Sequence, residues 1–348
     1  MYPSGDTISE QYNIAIYGTG SIGQRYMRLC RDMYPSANID LYRHKFSLIL
    51  DIDHYNRTGV KIFDVEKKYN IRNVYYDIFD RVHEGYDFAF ICTPTNTHTQ
   101  LAMNLTHDAI PTLVEKPLYD AWNIKHCAPG IVPLYIGYQL RVDPHLSKVK
   151  TLLSSLGDIV QCNVTWTEAM SEAHPWEEDY KLGYAARRDL GGGVINCYSH
   201  EVDYIAHLFG YPKHIEPVSV NYNDHLPVED EVLANLFYEP QGFKVKLYLD
   251  FSSNVEFPMR YLTIQGSKGR LFWNILDNVI SVKYKDKPVD LTLHHTLSKD
   301  QLFIDMISSL ALSSQGIPSS RLATIADAEI VRDVCNAIIE RQKDTDNR

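Results

Sequence analysis

Residues 13–30 read NIAIYGTGSIGQRYMRLC, and this stretch decides the fold. The chain from Tyr12 to Tyr17 is mostly apolar and predicts a strand, and the turn Gly18-Thr19-Gly20-Ser21-Ile22-Gly23 follows at once. After the turn, apolar side chains recur at the spacing of one helix face, and Pro35 ends that helix. A second short strand, Ile39 to Tyr42, completes the strand, turn, helix and strand that a dinucleotide-binding fingerprint requires.

The three glycines of this turn have separate roles in such a fingerprint. Gly18 allows the tight turn, Gly20 lets the backbone approach a pyrophosphate, and Gly23 lets the helix pack close to the strand. The free N–H groups and the dipole at the helix start favour phosphate. The turn therefore predicts a set of cofactor-binding residues: Gly18, Thr19, Gly20, Ser21, Ile22 and Gly23. The alternative is a glycine-rich turn in another kind of α/β protein.

The rest of the chain divides into two patterns. Further short apolar strands are predicted near residues 74–76, 88–92, 111–115 and 131–138, as expected for a parallel sheet. Beyond about residue 140 the strands alternate apolar and polar residues, which indicates an antiparallel sheet covered on one face. The predicted architecture is α/β: a doubly wound parallel sheet over residues 1–140, then an α+β domain with a large, mostly antiparallel sheet over residues 141–348.

Composition excludes several classes of partner. The chain has 348 residues and a formal net charge of −10, which argues against a nucleic-acid backbone or an anionic membrane as the main partner. No stretch approaches the roughly 20 apolar residues of a membrane span, and the N-terminus is not a signal peptide. The six cysteines are scattered without a Cys-x-x-Cys pair, so we expect reduced thiols in the cytoplasm and no zinc site.

The end of the second strand bears on the choice between NAD and NADP. An NAD enzyme usually carries an acid there, about 20 residues after the turn, for the ribose hydroxyls. Here Arg43 and His44 stand in that region, and no acid does. Because a guanidinium suits the 2′-phosphate and stacks on adenine, Arg43 favours NADP. The alternative, NAD with both residues as surface groups, stays open.

Polar residues follow two later strands at the same predicted sheet edge, where ligands bind in open parallel sheets. CTPTNTH spans residues 92–98, and its Thr93, Pro94, Asn96 and His98 are candidates to hold the nicotinamide side of the cofactor. Capping of the next helix explains each of them equally well. The tripeptide Glu115-Lys116-Pro117 ends the apolar run 110–114, so Glu115 and Lys116 are predicted to face the cleft.

A second constellation, GGGVINCYSHEVD, spans residues 191–203. Its glycines let the backbone pass close to another group. We expect one helix to follow, with Asn196, His200 and Asp203 along one face, beside a pocket. His200-Glu201 begins a zincin pattern, but Tyr204 stands where the second histidine is needed, so we predict no metal site.

Together these segments resemble the Gfo/Idh/MocA oxidoreductases, the family of glucose–fructose oxidoreductase and inositol dehydrogenase. The similarity runs over nearly the whole chain and also includes GYQLRVDP, residues 137–144. The resemblance implies an NAD(P)-binding Rossmann domain and a C-terminal sheet that often forms a dimer interface. It also implies that Lys116 lies beside the nicotinamide, that a cis peptide precedes Pro117, and that His200 is the catalytic histidine. The main departure is Asn196, where the family usually has aspartate.

These observations favour an oxidoreductase that moves hydride between nicotinamide and a carbinol carbon of a sugar, sugar derivative or polyol. Because a free histidine titrates near neutrality, His200 is expected to suit proton transfer, while the Lys116 ammonium suits the developing negative charge; the reverse assignment stays open. The substrate side is predicted to be lined by Tyr138, Gln139, Arg141, Trp176, Tyr180, Tyr184, Asn196 and His200. A narrower similarity of residues 174–188 points to surface-sugar biosynthesis, and a homodimer or homotetramer through the C-terminal sheet is expected. The alternatives are a non-catalytic NADP(H)-binding regulator and a reductase of a non-sugar substrate.

Overall fold

The computed structural model describes residues 11–44, 50–53, 58–61, 64–80, 85–123, 126–128, 130–173, 175, 177, 179–286, 291–294, 297–298 and 300–346. The strands are β1 Asn13–Tyr17, β2 Asn38–Tyr42, β3 Leu50–Asp53, β4 Thr58–Lys61, β5 Asn73–Tyr75, β6 Phe88–Ile91, β7 Thr112–Val114, β8 Leu134–Ile136, β9 Ile159–Thr167, β10 His214–Asn221, β11 Glu231–Tyr238, β12 Phe243–Asp250, β13 Met259–Gly266, β14 Gly269–Asn274, β15 Val279–Tyr284, β16 Leu291–His294 and β17 Ala323–Thr324. The helices are α1 Ser21–Met33, α2 Val65–Lys68, α3 His98–His107, α4 Pro144–Leu152, α5 Met170–Ala173, α6 Val194–Cys197, α7 Ser199–Phe209, α8 Gln301–Ser314 and α9 Ile325–Asp346.

Seven strands form the first sheet, in the order β17-β8-β7-β6-β1-β2-β5. All neighbours are parallel except β17, which pairs antiparallel with β8 at one edge. The strand order reverses between β1 and β6, so their carboxyl ends border the crevice in which open α/β sheets bind ligands. This is the predicted doubly wound sheet. The strand β17 was not anticipated, because two residues are too few to carry a pattern.

Eight strands form the second sheet, in the order β10-β11-β12-β9-β13-β14-β15-β16. Only β9 and β12 run parallel, so the predicted, mostly antiparallel sheet is confirmed. In β12 and β14 the side chains alternate between buried and exposed, as in a sheet that covers its core with one face. Helix α7 packs on α9, and α9 packs on β10, so the helical layer lies over that apolar face.

The end of the chain returns to the first sheet. Helix α8 packs against α1 and β6, and its Phe303, Met306 and Leu310 share a buried cluster with Tyr26 and Phe90. Helix α8 lies in the range 141–348, which was predicted from the sequence to form the second domain. The two sheets are therefore tied together by the C-terminal helices as well as by the chain between β8 and β9.

No helix within the described ranges is long and apolar enough to cross a membrane.

Candidate active site

The glycine turn after β1 has the shape that a pyrophosphate needs. Gly18 has a φ of +104°, and a Cβ there would lie 2.6 Å from the carbonyl oxygen of Cys92. A Cβ on Gly23 would lie 2.2 Å from the carbonyl oxygen of Gly18, so the helix packs against the turn at van der Waals contact. At Gly20, which precedes α1, a Cβ would meet nothing within 4 Å, so the backbone is open on that side. The turn therefore fits a dinucleotide phosphate.

Arg43 follows β2 at the edge where the adenosine ribose of a dinucleotide binds. Its backbone N–H donates to Tyr75 at 2.9 Å, and the residue is only 8% exposed, while His44 is exposed. The carboxylate of β2, Asp40, accepts hydrogen bonds from Arg72 at 2.7 Å and from the Tyr86 hydroxyl at 2.7 Å. Asp40 is therefore committed within the fold and does not replace the acid expected for a ribose.

His98 ties together the two loops that leave β6 and β7. It is 1% exposed, and its ring nitrogens lie 2.7 Å from the carbonyl oxygens of Pro117 and Thr93. The Thr93 and Thr97 hydroxyls are 2.6 Å apart, so the 3-10 turn Thr95–Thr97 is bonded internally. The contacts of His98 therefore stabilise the loops after β6 and β7 and are structural.

Asn96 of the same segment reaches across to the second half of the chain. Its Nδ2 donates to the carbonyl oxygen of Asp189 at 2.8 Å. The backbone also comes close here, since a Cβ on Gly191 would lie 2.6 Å from the Cβ of Thr95. The glycine run 191–193 therefore allows the two halves of the cleft to meet.

Glu115 and Lys116 leave β7 in opposite directions. The Tyr26 hydroxyl donates to Glu115 Oε1 at 3.1 Å, and burial raises the pKa of this carboxyl although the Lys116 ammonium opposes the shift. Lys116 Nζ donates to the carbonyl oxygen of Cys197 at 2.5 Å. Burial lowers the pKa of Lys116, with Cys197 and Glu115 opposing. The Lys116–Pro117 bond is cis, as the resemblance implies.

The helix expected after the glycine run is interrupted. Tyr198, with φ −103° and ψ 22°, separates α6 from α7, so Asn196 and His200 lie on two short helices and not on one continuous face. The prediction of a single helical stripe was wrong at this point. The carbonyl of Cys197, freed at the end of α6, is the group that Lys116 binds.

His200 is the second residue of α7 and is 4% exposed. Its ring meets that of Tyr138 edge-on at 5.7 Å, and Nδ1 has no hydrogen-bond partner among the described residues. Burial lowers the pKa of His200 well below its usual value, and the Lys116 and Arg260 cations lower it further. A neutral imidazole beside a lysine is an arrangement that can accept a proton from a hydroxyl.

A stack of three side chains lies beside His200. The rings of Trp166 and Tyr198 are parallel at 3.8 Å, and the Arg260 guanidinium covers the Trp166 ring at 3.6 Å. Arg260 is held by two hydrogen bonds to Glu201, at 2.8 and 2.9 Å. Trp166, Tyr198, Arg260 and Glu201 were not among the site residues predicted from the sequence. Glu201 is adjacent to His200 in the chain, but only sheet register brings Arg260 opposite Trp166.

Asn196 is fully engaged within the protein. Its Oδ1 accepts from the Ala121 N–H at 3.1 Å, and its Nδ2 lies within hydrogen-bond distance of Asp120, Gly191 and Gly192 acceptors. The residue is 1% exposed. The predicted role of Asn196 as a substrate ligand finds no free polar atom to support it.

Arg141 is also committed elsewhere. It makes two hydrogen bonds to Asp203, at 2.9 and 2.8 Å, one to Asp327 at 2.9 Å and one to His207 at 2.6 Å. The side chain is 7% exposed. Its contacts join α7 to α9, so they give no support to the predicted contact with substrate.

The other predicted substrate residues differ in how closely they approach Lys116 and His200. Tyr138 contacts His200, and the Tyr184 hydroxyl lies 3.5 Å from Cys197 Sγ, next to the carbonyl that binds Lys116. Tyr180 has Lys181 over its ring at 5.8 Å, and Gln139 begins the 3-10 turn Gln139–Val142. Trp176 lies outside the described residues.

No group of three or more potential metal-binding side chains occurs in the part of the chain that the structure describes.

Comparison with family models identifies the chain. A model described as an oxidoreductase family with an NAD-binding Rossmann fold, GFO_IDH_MocA, matches residues 12–128, and a model of the family's C-terminal alpha/beta domain matches residues 150–302. The chain belongs to the Gfo/Idh/MocA family. The predicted resemblance is thereby confirmed, together with a Rossmann domain of the NAD-binding type.

Curated relatives within the Gfo/Idh/MocA family are distant. The chain is 20% identical over 226 residues to 2,7-anhydro-N-acetylneuraminate hydratase of Escherichia coli, which covers 62% of this chain and 58% of that protein. It is 19% identical over 299 residues to the hydratase of the same name from Mediterraneibacter gnavus, covering 82% of this chain and 73% of the relative. The match therefore spans less than two thirds of the E. coli protein.

Solved structures of Gfo/Idh/MocA type share the fold over almost the whole chain. Levoglucosan dehydrogenase in complex with NADH and levoglucosan superposes with a TM-score of 0.75 at 15% identity, covering 95% of this chain and 97% of that one. The UDP-N-acetylglucosamine 3-dehydrogenase of Acidithiobacillus ferrooxidans has a TM-score of 0.67 at 15% identity, covering 94% and 99%. At this identity the likeness establishes the fold alone.

Proposed function

We propose that this protein is an NAD(P)-dependent oxidoreductase that moves hydride between nicotinamide and a carbinol carbon of a sugar or sugar derivative. The observation that carries the proposal is the hydrogen bond from Lys116 Nζ to the carbonyl oxygen of Cys197, which holds the lysine at the start of α7, the helix that carries His200. The Lys116 charge also lowers the pKa of His200. A fold alone does not establish function, whereas a lysine and a neutral histidine beside a nucleotide turn define a reaction class.

The proposed proton path uses His200. In the direction of oxidation, the substrate hydroxyl loses its proton as hydride leaves the same carbon. The low pKa of His200 keeps the imidazole neutral and able to accept that proton. The positive charges of Lys116 and Arg260 disfavour the protonated imidazole, so His200 readily releases the proton again. General acid–base help of this kind contributes roughly 10²–10⁴-fold.

Lys116 is proposed to stabilise the oxygen from which the proton leaves. Its ammonium group is held by the Cys197 carbonyl and lies in a buried setting, where electrostatic interactions are stronger than in water. Fixing the ammonium before reaction avoids the cost of reorienting it. Glu115, on the other side of the strand end, balances the buried positive charge.

The proposed cofactor residues are the glycine turn, Arg43 and His44, the segment 93–98, Glu115 and Lys116. When bound, the nicotinamide accepts or supplies the hydride. We propose NADP over NAD because Arg43 follows β2 and because Asp40 is already bonded to Arg72 and Tyr86. The bound NADH of the levoglucosan dehydrogenase structure shows that other chains of this fold use NAD.

A sugar-like substrate is proposed from the family and from the proteins that the chain resembles. The Trp166–Tyr198 pair beside His200 does not carry this proposal, because Tyr198 stacks on the Trp166 ring at 3.8 Å and the Arg260 guanidinium covers the same ring at 3.6 Å. Relatives and structural neighbours named for anhydro sugars and nucleotide sugars make both classes worth testing. A role in surface-sugar biosynthesis and a cytoplasmic location stay predictions from the sequence.

We also propose a homo-oligomer formed through the open face of the second sheet. That face carries Phe272, 39% exposed, and Met259, 48% exposed, at neighbouring strands. Apolar side chains on a regular sheet surface are typical of an interface. Sedimentation analysis of the purified protein tests this, and a monomer at all concentrations contradicts it.

The experiment that tests the function has two steps. Mass spectrometry of the purified protein identifies a co-purified nucleotide, and fluorescence titration measures NADPH and NADH binding. A panel of free, anhydro and nucleotide-linked sugars is then screened for cofactor oxidation or reduction. Turnover with one class supports the proposal. Nucleotide binding without turnover on any sugar favours the regulator or the non-sugar reductase.

A further inference from the structure

We infer that Asn196 is a positioning residue, paired with Asp120, and that this pair stands where the family usually has a catalytic carboxylate. The inference rests on the proposed function for its kinetic part only. It explains why this chain departs from the family at residue 196 and assigns a role to Asp120, which no motif had suggested.

The amide of Asn196 makes contacts in one orientation only. Nδ2 lies 2.9 Å from Asp120 Oδ1, 3.1 Å from the Gly191 oxygen and 3.3 Å from the Gly192 oxygen, all of which are acceptors. Oδ1 receives the Ala121 N–H at 3.1 Å. One amide atom faces only acceptors and the other faces an N–H donor, so these contacts assign the first as the nitrogen and the second as the oxygen. Nδ2 has no hydrogen left for a substrate, and Oδ1 belongs to a side chain that is only 1% exposed.

An aspartate at residue 196 would not fit the same surroundings. One of its oxygens would replace Nδ2 and face three acceptors, one of them the carboxylate of Asp120. Asn196 is 1% exposed and Asp120 is 8% exposed, so the two charges would repel with little screening by water. The residue at 196 is therefore dictated by the residue at 120.

The pair joins the two segments that carry the chemistry. Asp120 lies four residues after Lys116, and Asn196 lies four residues before His200. Asp120 Oδ1 also accepts the Trp122 N–H at 3.0 Å, which holds the loop 120–122 in shape. A movement of either segment would break these bonds, so the pair sets the spacing between Lys116 and His200.

A second bridge runs parallel to the first. Trp122 Nε1 donates to Glu229 Oε2 at 3.2 Å, and Glu229 Oε1 accepts the Ile195 N–H at 3.1 Å. The Arg188 guanidinium covers the Trp122 ring at 4.0 Å. The loop after Lys116 is thus fastened to α6 from two sides, as expected for a device that fixes geometry and not for a substrate subsite.

The test uses Asn196→Asp, Asp120→Asn and the double variant with the two residues exchanged. In the exchanged pair an amide again faces a carboxylate. We expect Asn196→Asp to lower kcat by about 100-fold, the loss typical of a small misplacement at a reacting centre, with KM within about 3-fold. The exchanged pair should regain at least about 10-fold in kcat over Asn196→Asp. Asn104→Asp, on α3, is the matched control and should behave as wild type.

Two further measurements separate positioning from proton transfer. The acidic limb of the kcat/KM profile should keep its position in the exchanged pair, because that pair carries one carboxylate, as wild type does, and takes no part in proton transfer. In Asn196→Asp the added negative charge raises the pKa of His200 whatever the role of residue 196, so the limb of that variant does not distinguish the two roles. In urea, the unfolding midpoint of Asn196→Asp should fall, and that of the exchanged pair should lie above it. Higher kcat in Asn196→Asp, a displaced acidic limb in the exchanged pair, or an exchanged pair no better than the worse single variant overturns the inference.

Failure of the proposed function is distinguishable from failure of the inference. If wild type turns over no sugar on the panel, the proposed function fails, and the urea midpoints of the four proteins still decide whether Asn196 and Asp120 are coupled. If wild type is active but the midpoints are additive and the kcat of the exchanged pair does not recover, the inference fails alone.

Discussion

Lys116 Nζ donates a hydrogen bond to the carbonyl oxygen of Cys197 at 2.5 Å, and this bond joins the end of β7 to the break between α6 and α7. The carbonyl is free because α6 ends at Cys197, where a helix leaves its last acceptors without intrahelical partners. A buried ammonium needs acceptors, and the helix end supplies one. The interrupted helix is therefore part of how the lysine is held beside His200.

Lys116→Ala should lower kcat by about 10²–10⁴-fold, because it removes the charge proposed to stabilise the reacting oxygen. NADPH binding, measured by fluorescence titration, should change by no more than about 3-fold. Lys148→Ala, at an exposed position on α4, is the control for loss of a lysine. Near-normal turnover in Lys116→Ala would remove Lys116 from the mechanism.

The pH dependence of sugar oxidation should report His200. Burial and the nearby cations lower its pKa, so the imidazole stays neutral until the pH falls well below its ordinary value of 6.5. We expect kcat/KM to be flat near neutrality and to fall only on a limb below that value. The profile of His107→Ala, an exposed histidine at the end of α3, should coincide with wild type. An acidic limb above 6.5 would contradict the assignment of His200 as the base.

Arg43→Ala should weaken NADPH binding by roughly 10- to 100-fold and NADH binding by much less, because a hydrogen bond to a charged group contributes about 1.5–3 kcal/mol. Fluorescence titration of both nucleotides with both proteins gives the ratio. Wild type that binds NADH more tightly than NADPH, with no change of ratio in Arg43→Ala, would reject the Arg43 argument.

Arg141→Met tests whether this arginine is structural. Its guanidinium is shared by Asp203 and Asp327, and removing one partner of a buried ion pair costs about 3–5 kcal/mol. We therefore expect a lower free energy of unfolding in urea, with KM for the sugar unchanged in the folded enzyme. Arg187→Met, which breaks an exposed pair with Asp189, should leave stability unchanged. A raised KM with normal stability would restore Arg141 to the substrate site.

The free energy of unfolding should decrease as the pH rises, because of Glu229. Burial raises its pKa from 4.5 to about 8, so the folded state holds a proton that the unfolded state has already lost. Between these two values the folded state binds more protons, and its stability falls with rising pH. Glu229→Gln removes this contribution, so the loss of unfolding free energy between pH 5.5 and 8.5 should be smaller than in wild type. Equal pH dependence in the two proteins would contradict the shift.

The fold was largely predictable because its signals are local. The apolar run before Gly18, the helix spacing after it and the alternation in β12 each depend on neighbours in the chain, and the structure follows them closely. The return of α8 to the first sheet was not predictable from such signals. The apolar face of α8 has no feature in the sequence that distinguishes the first sheet from the second. Its position against α1 and β6 is decided by tertiary packing.

The candidate site was predictable in part. Lys116 and His200 were recognised from their motifs, and in the structure Lys116 is hydrogen-bonded to Cys197 while the His200 ring packs against Tyr138. Arg141 and Asn196 have the same polar character as substrate ligands, but their partners Asp203, Asp327 and Asp120 lie far away in sequence. A polar side chain does not reveal whether its partner will be a ligand or another residue.

The sequence by itself determined most of the order of strands and helices, the glycine turn and the identity of the reactive side chains, because these depend on spacing along the chain. Tertiary structure decided which polar groups are free. The pairing of Asn196 with Asp120, of Arg260 with Glu201 and of Lys116 with Cys197 arises only when distant segments are packed together. Burial then requires each polar atom to find a partner, and the sequence does not specify which one it finds.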